Sequence, residues 1–125
     1  MDYTLDHTHQ DYIRMTVSGF MNKHDLLEAM KELITHPDYS TKHTLWDMTD
    51  VDRGTIGMAD VKEIIGFLRL YKPKEKNFAN KSVFFVSNDM NKAFIDLFIT
   101  MSKMLPFKYK VYTSEDEAVA YLTGA

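Results

Sequence analysis

The stretch His43–Met58, HTLWDMTDVDRGTIGM, combines three patterns. Its first six residues, HTLWDM, predict a β-strand, and a polar turn rich in aspartate, TDVDRG, follows them. From about Thr55 onwards, apolar residues recur at the spacing of a helix. The stretch therefore predicts a strand followed by a helix, which is the repeating unit of α/β proteins.

The residues before this stretch predict a hairpin and a helix. Polar and less polar residues alternate in Tyr3–His7 and again in Tyr12–Ser18, which is the period of a β-strand, and Gly19 is expected to close the second strand. Asn22 is a candidate N-cap for a helix that ends before Pro37.

The residues after this stretch repeat the unit of strand and helix. Helical spacing predicts a second helix over Thr55–Tyr71 and a third over Asp89–Met104, with a buried strand over Lys81–Ser87 between them. A final strand is predicted over Lys108–Tyr112, at a sheet edge because of its lysines. A capping box then starts a last helix over Glu115–Leu122.

The predicted order of elements is β-β-α-β-α-β-α-β-α. Strands that are joined through a helix run parallel, whereas the strands of a tight hairpin run antiparallel. We therefore expect an α/β fold with a five-stranded mixed sheet and helices packed against it. The 125 residues are the length of one ordinary domain, so we expect a single domain over residues 1–125.

The composition argues against several classes of protein. The net charge of −3 is unlike the basic surface of a nucleic-acid-binding protein. The chain has no cysteine, which excludes a disulfide framework, a thiol nucleophile and a metal site with cysteine ligands. No apolar run approaches the roughly 18 residues of a membrane span. Met1–Gln10 lacks the pattern of a signal peptide, so we expect a cytoplasmic protein.

The third predicted helix is unusually apolar. Over Asp89–Met104 its apolar residues cover nearly three sides, which is more than one contact with a sheet can bury. Two interpretations stay open: the helix is deeply buried within the monomer, or it is shared with a second subunit. The second interpretation predicts a homodimer.

Several short segments point to a known family by their order and spacing. They are Val17–Phe20 before the first helix, Leu45–Asp47 in the third strand, the apolar strand Val83–Val86, and the acidic-then-apolar ending Thr113–Leu122. With this order the chain resembles the STAS domain, the fold of bacterial anti-sigma-factor antagonists. It is more similar still to the SpoIIAA-like family, whose fold is similar to that of CRAL-TRIO lipid-binding domains. The resemblance covers the whole chain. It implies a non-enzymatic regulatory or protein-binding module that needs no cofactor.

The loop after the third strand is where the resemblance bears on regulation. In sporulation-type antagonists this loop holds an Asp-Ser-Ser-Gly-like motif. A partner kinase phosphorylates a serine in the motif, and the added charge breaks a protein contact. Here the loop Asp50–Thr55 reads DVDRGT, and Arg53 stands where the serine is expected. The resemblance therefore implies a module without the usual phosphorylatable serine, with Thr49 and Thr55 as the only nearby hydroxyls.

We predict that a partner contacts this loop and the start of the following helix. The partner is another protein or, as the kinship with CRAL-TRIO domains implies, a small apolar or lipid-like ligand between the sheet and the helices. An enzyme is a third alternative, although no catalytic motif supports it. The nine predicted surface residues are Trp46, Asp47, Thr49, Asp50, Asp52, Arg53, Gly54, Thr55 and Met58.

Two groups of residues carry metal-ligand chemistry, but neither group is predicted to bind a metal. Two aspartates at the end of the third strand, Asp47 and Asp50, offer the oxygen ligands that Mg²⁺ prefers. His7 and His9 would share a strand face, and His24, His36 or His43 could add a third ligand. No fixed ligand spacing supports either site, and a zinc site needs three or four converging ligands.

Overall fold

The computed structural model describes residues 1–52, 54, 56–70, 80–105 and 108–124. The order of elements confirms the predicted β-β-α-β-α-β-α-β-α. The elements are β1 (Asp2–Asp6), β2 (Tyr12–Phe20), α1 (Lys23–Ile34), β3 (His43–Asp52), α2 (Met58–Leu70), β4 (Lys81–Phe85), α3 (Asp89–Met101), β5 (Lys108–Tyr112) and α4 (Glu115–Thr123).

The five strands form one mixed sheet in the order β1-β2-β3-β4-β5. β1 runs antiparallel to β2, and every later neighbour pair is parallel. Because β2 to β5 run parallel, they all end at the same edge of the sheet, which we call the carboxyl edge. The four helices begin there, and the opposite edge, where these strands begin, is called the amino edge.

The two faces of the sheet pack against different helices. Ile13, Met15 and Val17 of β2 share one cluster of buried residues with apolar side chains of α1, α2 and α3, and we call this face the inner face. Leu45 of β3 and Val83 of β4 belong to a second cluster with residues of α4 on the outer face. The alternation of strand side chains thus separates a large core from a small one.

Local sequence signals explain where the helices begin. The side chain of Asn22 accepts a hydrogen bond from the backbone N–H of Asp25 at 2.9 Å, which confirms it as the N-cap of α1. Asn88 caps α3 in the same way, and Ser114 caps α4. Among the predicted helix ends, that of α3 is wrong: the helix ends at Met101 rather than Met104, and Ser102 is its C-cap.

The third strand is longer than predicted, so part of the predicted polar turn belongs to the strand. β3 continues through Asp52, because its pairing with β2 resumes after an irregularity. Thr16 pairs with Asp47, but Ser18 pairs with Asp50, so β3 uses one more residue than β2 over this interval. Such a bulge reverses which face the later side chains take.

Two predicted boundaries change with this extension. Gly19 does not close β2, because Gly19 and Phe20 still pair with Val51 and Asp52 of β3. The second helix begins at Met58, and the predicted start at Thr55 and end at Tyr71 lie outside the described residues.

The interpretation that α3 is deeply buried within the monomer is wrong. Only one side of the helix, with Ile95 and Phe98, is buried. Met90 and Leu97 of the helix are exposed, as is Met104 just beyond its end.

Among the helices in the described parts of the chain, none has the length and apolar character needed to cross a lipid bilayer.

Candidate functional site

The predicted surface residues divide between the two faces of the sheet. Trp46 lies on the inner face, where only 3% of it is exposed and its ring stacks on that of Phe84 with the centroids 6.3 Å apart. It is therefore a core residue, and its place on a contact surface is a wrong prediction. Asp47, the next residue, points to the outer face because strand side chains alternate.

Asp50 and Asp52 are exposed near the end of β3. The bulge explains this position. With unbroken alternation, both aspartates would share the inner face with Trp46 and Met48. After the bulge, Val51 packs against the inner core instead, and the two aspartates turn away from it.

The remaining predicted residues lie at the start of the loop and of α2. Gly54 has a left-handed backbone with φ +63°, and its N–H donates to the carboxylate of Asp52 at 2.8 Å. Met58 is exposed at the first residue of α2. Arg53 and Thr55 lie outside the described residues.

Asp47 and Thr49 are occupied by hydrogen bonds. The Asp47 carboxylate accepts from the backbone N–H of Thr49 at 3.1 Å and from its hydroxyl at 2.7 Å, both within the bulge. The same carboxylate accepts from the Arg14 guanidinium at 2.6 Å. Arg14 also donates to Glu115 of α4 at 2.9 Å, so the network joins β2, β3 and α4.

The electrostatics of this network favour the charged forms of Asp47 and Arg14. Burial alone would raise the pKa of Asp47, but the hydrogen bonds from Thr49 and Arg14 outweigh it and lower the pKa below its usual range. Burial lowers the pKa of Arg14, and its bonds to Asp47 and Glu115 more than reverse this. A carboxylate that is held ionised is a poor general acid, and both oxygens of Asp47 already accept hydrogen bonds from Arg14 or Thr49. We therefore interpret the network as a structural tie.

The exposed aromatic residue at this edge was missed by the sequence reasoning. Phe20, the last residue of β2, is 70% exposed. Tyr12, Arg14, Thr16 and Ser18 alternate onto the outer face, and the same period assigns Phe20 to it. Because β2 was predicted to end at Gly19, this alternation was not extended to Phe20.

Three aspartates lie near Phe20 in the register of the sheet. Asp52 is its pairing partner in β3, while Asp50 of β3 and Asp2 of β1 both pair with Ser18, two residues before it. All three aspartates are exposed. We call Phe20, Asp2, Asp50 and Asp52 the Phe20 patch. It combines one large apolar side chain with three negative charges.

The inner core leaves little space for a ligand. A cavity of about 30 Å³ between the sheet and the helices is lined by apolar side chains, including Trp46, Ile64 and Phe98. This volume corresponds to roughly one or two water molecules, whereas pockets for small molecules measure about 300–1,000 Å³. In the described part of the core, a lipid-like ligand would need the helices to move apart.

Comparison with known proteins gives similarity in fold. No protein-family profile matches the chain, and no curated protein does. An uncharacterised protein of the DUF3478 family from Shewanella loihica PV-4, described as having a SpoIIAA-like fold, is similar with a TM-score of 0.59 and 10% identity. The match covers 97% of this chain and 92% of that one.

A second similar structure is an anti-sigma factor antagonist from Mycobacterium paratuberculosis. Its TM-score is 0.58 at 14% identity, and the match covers 98% of this chain and 93% of that one. Both matches extend over nearly the whole chain, so they establish that the chain has the SpoIIAA-like fold. The resemblance inferred from the order of the elements is confirmed at this level.

Proposed function

We propose that the protein is a non-enzymatic regulatory module that binds another protein through the Phe20 patch. The observation that carries this proposal is the exposure of Phe20 among three exposed carboxylates. In the monomer most of the Phe20 side chain stays in water, whereas a partner that covers it gains apolar contact. Burying such a side chain contributes about 1.5–3 kcal/mol.

The charges define the chemistry of the partner. Asp2, Asp50 and Asp52 form a negative rim, so the partner presents lysine or arginine side chains around an apolar pocket that receives Phe20. Complementary charge steers association and rejects acidic surfaces, while the buried aromatic ring holds the complex. This division matches the usual anatomy of an interface, with an apolar centre and a polar rim.

The fold supports a regulatory role by analogy. The Mycobacterium protein is described as an anti-sigma factor antagonist, and this chain shares its fold. Fold alone does not transfer function. The shared fold therefore favours a protein over a small molecule as the partner, without identifying that protein.

We propose that this contact is not switched by phosphorylation of a serine. No serine lies between Ser40 and Ser82, so the loop has none to modify. The hydroxyl of Thr49 is engaged by Asp47 at 2.7 Å. With no serine in this loop, the acidic character of the strand end comes from Asp50 and Asp52 themselves and not from an added phosphate.

Charge reversal tests the proposal. The partner is isolated with the wild-type protein, identified and purified, and its affinity is then measured by titration. Asp50→Lys/Asp52→Lys should weaken binding at least about tenfold, because two attractive contacts become repulsive. Glu28→Lys/Asp116→Lys changes the net charge equally at exposed positions outside the patch and should bind as wild type. Equal affinity in both double variants would contradict the proposal.

We also propose that the protein forms a homodimer through α3. Met90, Phe94, Leu97, Met101 and Met104 recur at intervals of four and three residues, the spacing of a helix-pairing stripe. Met90, Leu97 and Met104 are exposed, and Leu97 is 39% exposed at the centre. The stripe is nearly symmetric about Leu97, which is the requirement for a two-fold contact between identical helices.

An antiparallel arrangement satisfies both the stripe and the charges. Leu97 then meets its own copy on the two-fold axis, and Met90 of one copy lies towards Met104 of the other. Asp89 at the start of the helix approaches Lys103 beyond its end in the second copy. The two helix dipoles also oppose each other, which adds a favourable term.

Light scattering at micromolar concentration tests the dimer. The wild type should have twice the mass of the 14.6 kDa chain, and Leu97→Glu should be a monomer because it places two carboxylates on the axis. Leu70→Glu, at an exposed leucine at the far end of α2, should remain a dimer. A monomeric wild type, or a dimeric Leu97→Glu variant, would rule out this interface.

A further inference from the structure

We propose that His7, His36 and Asp38 bind a divalent transition-metal ion of the Zn²⁺ type. One nitrogen from each imidazole and one carboxylate oxygen all lie within 4.8 Å of one another. His7 Nδ1 is 3.6 Å from the carboxylate of Asp38, and the two imidazole centroids are 4.9 Å apart. Small side-chain rotations bring three such atoms to the distance at which they share one ion.

The ligand set selects the class of metal. Two imidazoles and a carboxylate suit Zn²⁺, Ni²⁺ or Cu²⁺, whereas Mg²⁺ and Ca²⁺ prefer sites built from oxygen atoms alone. Three protein ligands also leave one tetrahedral position open for water or another molecule. The site is therefore an open one, at the surface, rather than a closed structural centre.

The side chain of Lys42 holds the two halves of the site together. His7 lies in the β1–β2 hairpin, and His36 and Asp38 lie in the connection between α1 and β3. The ammonium group of Lys42 donates to the backbone carbonyl of His7 at 2.8 Å and to that of His9 at 2.7 Å. The hairpin is thus fixed against the α1–β3 connection before any metal arrives, which lowers the cost of assembling the site.

Two existing contacts compete with the metal. Lys42 Nζ lies 3.5 Å from the Asp38 carboxylate, and the backbone N–H of Asp38 donates to His36 Nδ1 at 3.1 Å. A metal must share the carboxylate with an ammonium group and displace or rearrange that hydrogen bond. We therefore infer a weaker affinity than that of closed zinc sites.

The other histidines are engaged elsewhere. His9, which the alternation of β1 would place on one strand face with His7, lies 3.5 Å from the Asp6 carboxylate and stacks on Tyr12. His43 Nδ1 accepts from the backbone N–H of Lys81 at 3.0 Å. His24 is exposed on α1 and serves as a control. The pairing that forms in the fold is His7 with His36, 29 positions apart in the chain.

The metal would act as a clip between the hairpin and the α1–β3 connection. A ligand that binds only the folded state stabilises that state.

The site lies at the amino edge of the sheet, where β2 begins, and the Phe20 patch lies at the end of β2. Either proposal can therefore fail without the other.

Calorimetric titration of the full chain with ZnCl₂ tests the site. The wild type should bind one Zn²⁺ per chain and should not bind Mg²⁺. His7→Ala and His36→Ala should each weaken Zn²⁺ binding by at least about tenfold. Replacing a residue that only hydrogen-bonds to a metal ligand already lowers metal affinity by roughly 10- to 100-fold. His24→Ala should bind as wild type, and Zn²⁺ should raise Tm in the wild type but not in His7→Ala.

A second measurement keeps the test independent of how the variants fold. Titration of the wild type with Zn²⁺, followed by NMR, should shift the imidazole resonances of His7 and His36 and leave those of His24 in place. Absence of Zn²⁺ binding would overturn the proposal. So would shifts at His24 that match those at His7, or an unchanged affinity in a folded His7→Ala variant.

Discussion

Trp46→Ala should lower the free energy of unfolding by about 3–5 kcal/mol, the cost of removing a buried tryptophan and leaving a cavity. Trp46 is almost wholly buried on the inner face of β3, against Phe84, and it already borders a small cavity. The surrounding side chains come from three helices and the sheet, so they can close the gap only partly. The loss is measured by urea denaturation with far-ultraviolet circular dichroism, because the variant has no other tryptophan to report fluorescence.

This variant separates a core role from a surface role. Leu70→Ala removes an apolar side chain that is 81% exposed and should change stability by no more than about 0.5 kcal/mol. If Trp46 belonged to the contact surface, its variant would fold normally and lose only partner binding. A stability within 1 kcal/mol of wild type would contradict the packing described for β3.

Gly54→Ala should lower the free energy of unfolding by about 2–3 kcal/mol. The backbone of Gly54 is left-handed, and a Cβ at this position would lie 2.5 Å from the backbone carbonyl oxygen of Met21. That oxygen belongs to the chain between β2 and α1, so relief requires a shift of main chain rather than of a flexible side chain. The strained backbone and the close contact act in the same direction.

A matched glycine in α2 should respond with the opposite sign. Gly66 lies within the helix, and an added Cβ would meet nothing within 4 Å. Gly66→Ala should therefore stabilise the protein by about 0.5–1 kcal/mol through helix propensity. Thermal and urea denaturation of the two variants give the comparison. Equal effects at the two positions would show that the close approach of Gly54 to Met21 does not constrain the loop.

The elements were predictable because their signals are local. The N-caps Asn22 and Ser114 and the period of β5 each depend on a few neighbouring residues, and the structure agrees with them. The parallel pairing of β2 to β5 follows from helices between strands. These local signals are enough to predict the order of the strands and helices along the chain.

The candidate site could not be predicted in the same way, because it depends on pairing between strands. The bulge in β3 is visible only against β2, and it decides that Asp50 and Asp52 face outward while Val51 faces the core. The position of Phe20 on the outer face likewise depends on β2 continuing beyond Gly19, paired with β3. Trp46 lies on the inner face and Asp47 on the outer face, because adjacent strand residues face opposite sides of the sheet.

The histidine site could not be predicted from the sequence either, because its residues lie far apart in the chain. His7 and His36 have no recognisable ligand spacing, and the contact arises only when the hairpin meets the connection after α1. The sequence reasoning paired His7 with His9 because alternation favours neighbours two residues apart. In the structure, His9 instead lies beside Asp6 and Tyr12.

Site-specific photo-crosslinking tests the central claim, that the Phe20 patch binds a protein partner. A photoreactive phenylalanine analogue replaces Phe20 in one protein and the exposed Leu70 in another, and each is irradiated in the cells from which the protein comes. Position 20 should give one discrete adduct with a basic partner. That adduct should be lost in Asp50→Lys/Asp52→Lys and should be absent from position 70. No adduct from position 20, or the same adduct from both positions, would contradict it.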